Sequence, residues 1–170
     1  MIPNILLQAI LQQYPLRPGG MHGVAHWARV LENGRRLALE NGARVDVVEL
    51  FAVFHDSQRR NDHIDPEHGL RAAELAANVL GKSFELDVEG FKLLWTACAY
   101  HTKGLVEGDI TVQTCWDSDR LDLGRVWIKP NPKKLCTEAA RSRDILVWAD
   151  QRSHNQHTPG LVYEEWKIQI

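Results

Sequence analysis

The sequence predicts an all-α single domain, and three observations lead there. The stretch Val47-Val48-Glu49-Leu50-Phe51-Ala52-Val53-Phe54 is almost continuously apolar. A helix that is apolar all round is surrounded by protein, so this segment reads as a buried central helix. Elsewhere the apolar residues recur at helical spacing, as in Val24, Trp27, Val30, Leu31, Leu37 and Ala38. Period-two alternation is nearly absent, and Thr111 to Thr114, which alternates weakly, does not suffice for a sheet. With 170 residues the chain has the length of one domain and enough material to bury a core.

Taken in order, Asn4 is placed to cap a first helix reaching about Tyr14, with Ile5, Leu6, Ala9 and Ile10 on one face. Pro15, Pro18, Gly19 and Gly20 break it. A second helix is expected from about Gly23 to Asn41, with Gly42 as its stop. Asp46 is expected to cap the central helix. A polar loop, Ser57 to Asp65, leads to Pro66, which suits the first position of a helix running to about Leu80 and ended by Gly81. A fifth helix covers about Val88 to His101 and stops near Gly104. Trp116 to Arg125 reads as helical, a proline-rich turn comes next at Ile128 to Pro132, and a last helix spans about Thr137 to Gln151. From Ser153 to Ile170 the chain is polar and then mixed. With no repeat or linker, residues 1–170 form one expected domain, a motif-bearing core of about 21–125 followed by a C-terminal helix and tail, 133–170.

A hydrophobic content of 44% and charged content of 25% are those of an ordinary globular protein, and a net charge of −2 draws the chain toward neither a nucleic-acid polymer nor an anionic membrane. Any anion binding must come from a local cluster. Cys98, Cys115 and Cys136 are odd in number and widely spaced, which argues against a disulfide framework or a cysteine zinc site and for the cytoplasm. The first twenty residues read as an amphipathic helix rather than a signal peptide, and no run reaches the length of a membrane span.

The chemistry concentrates in histidines and aspartates at helix ends. His55-Asp56 closes the apolar run; burying an imidazole beside a carboxylate is costly unless both are satisfied, and a metal ion satisfies both. The plainer alternative is a hydrogen-bonded structural pair. His22 and His26 are four apart and share a face if both are helical, a spacing more often structural than ligating. His68 opens one predicted helix and His101 closes another. Asp117, Asp119 and Asp122 crowd into WDSDRLDLGR. His63, His154 and His157 read as loop or surface residues, and Trp27, Trp95, Trp116 and Trp148 as core.

In the order His26, His55-Asp56, His68, His101 and Asp119, with HWARV, FHDS and DSDRLD around them, these residues resemble the HD-domain superfamily of metal-dependent phosphohydrolases. The resemblance covers about Met21 to Arg125. It implies a helical bundle whose central buried helix carries metal ligands: His26, His55, Asp56 and Asp119 for one divalent ion, with His68 and His101 joining where a second ion is held and Asp56 bridges. His26 is preferred to His22 because it stands three residues before Arg29-Val30, and Asp119 to Asp117 or Asp122 because it precedes Arg120-Leu121. Imidazole with carboxylate suits Mn, Fe, Co, Ni or Zn better than Mg alone.

The activity that the resemblance implies is hydrolysis of a phosphomonoester or nucleotide, in which a metal-activated water attacks phosphorus. Asp56, Arg59 and Arg120 are the expected catalytic residues, and Arg59, Arg60 and Lys103 the expected contacts to a small phosphorylated or anionic substrate, because a guanidinium fork matches phosphate oxygens. Arg125 lies near the same ligands. Some members of the superfamily carry an acidic residue three positions after the pair's Asp. This chain has Arg59 there, so the general acid stays open among Asp117, Asp122 and a metal-bound water. Two other readings stand beside this one: an HD-type di-iron oxygenase of a small anionic substrate, and a non-catalytic metal- or nucleotide-binding regulatory protein.

Overall fold

Buried apolar stripes on a few long helices decide how this chain packs. The computed structural model describes residues 2–170. Its helices are α1 (Asn4–Gln12), α2 (Val24–Asn41), α3 (Val45–Phe54), α4 (His68–Val79), α5 (Val88–Tyr100), α6 (Ile110–Arg120), α7 (Glu138–Arg141), α8 (Arg143–His154) and α9 (Leu161–Glu164). Among the described residues there is no strand, only an isolated bridge between Leu80 and Phe84. The protein is therefore an all-helical, single compact domain. No helix among the described residues is long and apolar enough to cross a membrane.

Helix α3 is the centre. Every residue from Val47 to Phe54 is buried, and α2, α4, α5 and α6 pack around it. Gly34 lets α2 approach closely: a Cβ there would lie 2.3 Å from Val48 Cγ1. Leu37, Leu121, Leu135, Ala140, Ile145 and Ala149 form a second, smaller core under the C-terminal helices.

Several boundaries depart from the sequence reading. Asn4 lies inside α1, whose N-cap is Pro3; the Pro3 carbonyl accepts from Leu6 and Leu7 N–H. Helix α3 starts before Asp46, at Val45, and the Asp46 carboxylate instead pairs with Arg44 and accepts from Val47 N–H. Pro66 sits in the turn ahead of α4, which begins at His68. Thr111 to Thr114 is helical, because the Asp109 carboxylate caps α6 by accepting from Thr111 N–H at 2.7 Å. That helix ends at Arg120, and a 3-10 turn, Leu123–Val126, takes over short of Arg125.

Thr137 caps α7 as its hydroxyl suggests, but the expected long helix is two. Ser142 is extended, and its own hydroxyl caps a fresh start at Arg143, the local competition with the helix ladder that serine offers. The mixed tail also folds: Leu161, Val162 and Trp166 are buried in the main core. Gly42 at the end of α2 has φ 74°, the left-handed stop that glycine adopts without strain.

Candidate metal centre

Helix α3 delivers His55 and Asp56 to the interior just where its apolar run ends, and both are fully buried. Around them stand His26 from the first turns of α2, His68 from the start of α4, His101 from the end of α5 and Asp119 from the end of α6. Four helix ends thus converge on the fifth.

Local hydrogen bonds set the ring orientations. His55 Nδ1 lies 3.2 and 3.1 Å from the Phe51 and Ala52 carbonyls, His101 Nδ1 is 2.7 Å from the Cys98 carbonyl, and His68 Nδ1 is 2.5 Å from the Asp65 carbonyl. A carbonyl only accepts, so each Nδ1 carries the proton and each Nε2 presents a lone pair. His26 is turned the same way by Asp122, whose Oδ2 lies 2.7 Å from its Nδ1. The four Nε2 atoms then meet in pairs: His26 to His55 at 3.0 Å and His68 to His101 at 2.9 Å. Lone pairs that close repel unless a cation lies against both. Two nitrogens on one divalent ion, each about 2.1 Å from it, stand roughly 3.0–3.4 Å apart at angles of about 90–110°. The spacing fits.

The Asp56 carboxylate divides between the pairs. Its Oδ1 is 2.9 Å from His68 Nε2 and 3.7 Å from His101 Nε2, and its Oδ2 is 3.5 Å from His26 Nε2 and 3.9 Å from His55 Nε2. Two triads result, His26-His55-Asp56 and Asp56-His68-His101, each with ligand atoms within 4.8 Å of one another. Asp119 adds a fourth group to the first: its Oδ1 is 3.6 Å from His26 Nε2 and 3.8 Å from His55 Nε2. That oxygen is buried with no hydrogen-bond partner, a costly state that a bound cation relieves.

The electrostatics agree with a site that wants positive charge. Burial pushes His55 down to about 3, keeping it neutral and able to ligate. For Asp119 burial acts upward, but His55, Arg125 and His26 outweigh it and hold the carboxyl at about 2. His101 is raised: burial opposes its charging, yet the Asp56 and Asp119 carboxylates prevail.

Of the three clustered aspartates, only Asp119 is free for this role. Asp117 accepts from the Cys136 and Thr137 N–H groups at 2.7 and 2.8 Å and from the Thr137 hydroxyl, fixing the loop before α7. Asp122 accepts from Arg29 Nε at 2.6 Å while holding His26. Neither is placed as a general acid.

His22 precedes α2 rather than sharing a helical face with His26. Its Nδ1 lies 2.8 Å from Asp56 Oδ2, so it steadies the shared carboxylate, a role the four-residue spacing did not reveal.

The arginines sort differently from their order in the chain. Arg59 is buried at the edge of the cluster; its Nη2 donates to the His63 carbonyl at 2.6 Å, and its Nη1 lies 3.7 Å from Asp56 Oδ1. Arg60 and Lys103 are exposed. Arg120, expected in the catalytic set, turns away: it donates to the carbonyls of Lys134 at 2.8 Å and Leu105 at 2.6 Å and lies over the Trp116 ring. The reason is helical geometry, since its neighbour Asp119 points inward and one residue rotates the side chain by about 100°.

Arg125 stands where Arg120 was expected to act, its Nη2 3.7 Å from Asp119 Oδ1 and 4.0 Å from Asp56 Oδ2. Sequence proximity to the ligands was its only signal. Beside His26 opens a cavity of about 450 Å³, lined by Arg29 and Arg125 and by Gln156, Thr158 and Tyr163. Those last three belong to a tail whose sequence carried no sign of a site.

Fold and site define an all-helical domain in which buried His and Asp side chains could hold a divalent metal ion. Comparisons with protein-family models, curated proteins and solved structures give no match.

Proposed function

We propose that this chain is a metal-dependent phosphohydrolase of the HD-domain type, acting on a phosphomonoester or nucleotide. One observation carries the reading: two buried His/Asp triads share Asp56, and His26 of the first lines a cavity that also has Arg125 in its wall. His26, His55, Asp56 and Asp119 would hold one ion, and Asp56, His68 and His101 a second. Mn, Fe, Co, Ni or Zn suits these donors better than Mg. When bound, such an ion supplies Lewis acidity, polarising a phosphoryl oxygen and lowering the pKa of water.

The chain's own groups prepare the site. Carbonyl acceptors and Asp122 keep the imidazole lone pairs aimed inward, and His22 holds Asp56 between the two triads. The two carboxylates would offset half the charge of two divalent ions, and an arriving phosphate gains further from the guanidinium groups of Arg125 and Arg59 beside them. Cys98, Cys115 and Cys136 are all free thiols, compatible with work in the reducing cytoplasm.

The experiment is a panel of phosphomonoesters and nucleotides assayed with each divalent metal in turn. Metal-dependent phosphate release from at least one compound is expected, and none from any would sink the reading. The shared Asp56 and six-residue set also suit a di-iron oxygenase of a small anionic substrate. Anaerobic purification with iron, followed by an iron absorption band and oxygen-dependent turnover, would favour that alternative.

A further inference from the structure

The cavity beside the cluster has walls that metal binding does not explain. Arg125 is 7% exposed, and its Nε is buried with no hydrogen-bond partner. Its Nη1 donates to the Asp122 carbonyl at 3.1 Å, which fixes the guanidinium between the Asp119 and Asp56 carboxylates and the open space. Arg29, the other guanidinium in the wall, is already matched by Asp122, and its Nη1 donates to the His157 carbonyl at 2.8 Å. The residue that steadies Asp122 and, through it, His26 therefore also pins the tail against the cavity. The neighbouring Gln156 is held with φ 51°, a left-handed conformation that a non-glycine residue keeps only when its surroundings fix it.

The lining divides chemically. His26, Arg29 and Arg125 lie at the metal end, and Met21, Tyr163 and Ile170 give apolar surface, with Gln156 and Thr158 adding uncharged polar groups. Among the described residues, no Asp or Glu side chain lines the cavity. A volume of about 450 Å³ falls in the range of small-molecule sites.

We propose that Arg125 holds the substrate's anionic group at the metals, while the pinned tail, Gln156 to Tyr163, forms the wall that selects an uncharged organic body. This rests on the phosphoester reading for its choice of anion. The ligand class is a small monoanionic or dianionic phosphoryl compound with a neutral, partly apolar substituent. A cationic substituent is disfavoured, because the guanidinium groups of Arg29 and Arg125 stand in the wall and like charges repel.

Phosphonates test this without an ester bond to cleave. The manganese-loaded protein, kept anaerobic, is titrated calorimetrically with inorganic phosphate, methylphosphonate, benzylphosphonate and 4-(aminomethyl)benzylphosphonate. Benzylphosphonate should bind about tenfold tighter than methylphosphonate, and the amino derivative should lose that gain. Tyr163→Ala should shrink the benzyl advantage and leave phosphate affinity and metal content as in the wild type. Arg125→Gln should weaken all four by about 10–100-fold at full metal content, with Arg125→Lys restoring part. Because Arg125 also bonds the Asp122 carbonyl, Arg125→Lys serves as the test if the Gln variant does not fold. Equal affinity for the benzyl and methyl compounds, a Tyr163→Ala variant with the wild-type ratio, or metal-loaded Arg125 variants binding phosphate undiminished would each overturn the proposal. A protein that shows these affinities yet hydrolyses no phosphomonoester would lose the hydrolase reading alone. One that hydrolyses without this pattern would lose only the assignment of the wall.

Discussion

Asp56→Asn separates a metal ligand from a structural carboxylate better than truncation does. The amide is nearly isosteric, and it can still accept from His22 Nδ1 and donate to the His68 Nε2 lone pair, the groups now 2.8 and 2.9 Å from the carboxylate. The substitution removes the charge that both triads share. The metal-free variant should therefore stay within about 1 kcal/mol of the wild type, the scale of one altered hydrogen bond. Asp56→Ala, which leaves the buried His22 and His68 rings without their partner, should cost more, about 2–5 kcal/mol. Metal at a hundredfold excess over its dissociation constant stabilises a protein by about 2.7 kcal/mol. For a domain of this size each kcal/mol moves the melting temperature by about 2–4 °C, so the wild type should gain about 5–11 °C on adding manganese. Asp56→Asn should gain almost nothing. The assay is calorimetric melting with and without metal, alongside elemental analysis of metal per chain. An Asn variant that keeps both its metal and its thermal shift would refute the shared-ligand argument.

The other predictions concern the second triad and pH. His101→Ala should lower the metal content of the loaded protein from about two per chain to about one, read by elemental analysis; unchanged content would make His101 a supporting residue rather than a ligand. Gly69→Ala should act on the same residue indirectly, since a Cβ there would meet the Cys98 carbonyl at 2.4 Å and His101 Nδ1 at 2.9 Å. Overpacking of that kind costs about 1–3 kcal/mol, so urea denaturation should show the loss, together with weaker metal binding. Metal-free protein should lose stability on acidification. His55 titrates near 3 when folded against about 6.5 unfolded, so between those values the unfolded chain binds the extra proton and stability falls as pH falls. Asp119, depressed to about 2, adds a loss in the same direction below about pH 4, while His101, raised, opposes both through the loss of its contribution as pH rises. Denaturation midpoints at pH 4.5 and 7.5 in a His101→Ala background, which removes the opposing group, decide the matter, and a metal-free protein there as stable at 4.5 as at 7.5 would contradict the buried neutral state of His55.

By itself the sequence determined whatever depends on short range. The all-round apolar run marked α3 as the centre, the 3.6-residue stripes marked α2, α4 and α5, and Gly42 marked a stop, because each signal lies within a few residues of the structure it governs. Where two local signals competed, the capping side chain prevailed over the weak alternation or the longer stripe. The Asp109 cap drew Thr111 to Thr114 into α6, and the Ser142 hydroxyl divided one expected helix into α7 and α8. The His and Asp residues were legible as candidates by type and order, but not in their division of labour. Asp117, Asp119 and Asp122 were told apart in the chain only by the resemblance, which favoured Asp119, and packing gives them a loop, an unpartnered oxygen and an Arg29 pair respectively. Proximity favoured Arg120, which adjoins Asp119, over Arg125, but the turn after α6 aimed only Arg125 at the carboxylates. The tail wall was illegible, since Gln156, Thr158 and Tyr163 acquire meaning only through a bond from Arg29, more than a hundred residues earlier in the chain. Periodicity and caps are properties of neighbouring residues, whereas the direction of a side chain into a shared cavity is set by contacts between helices that the linear order does not contain.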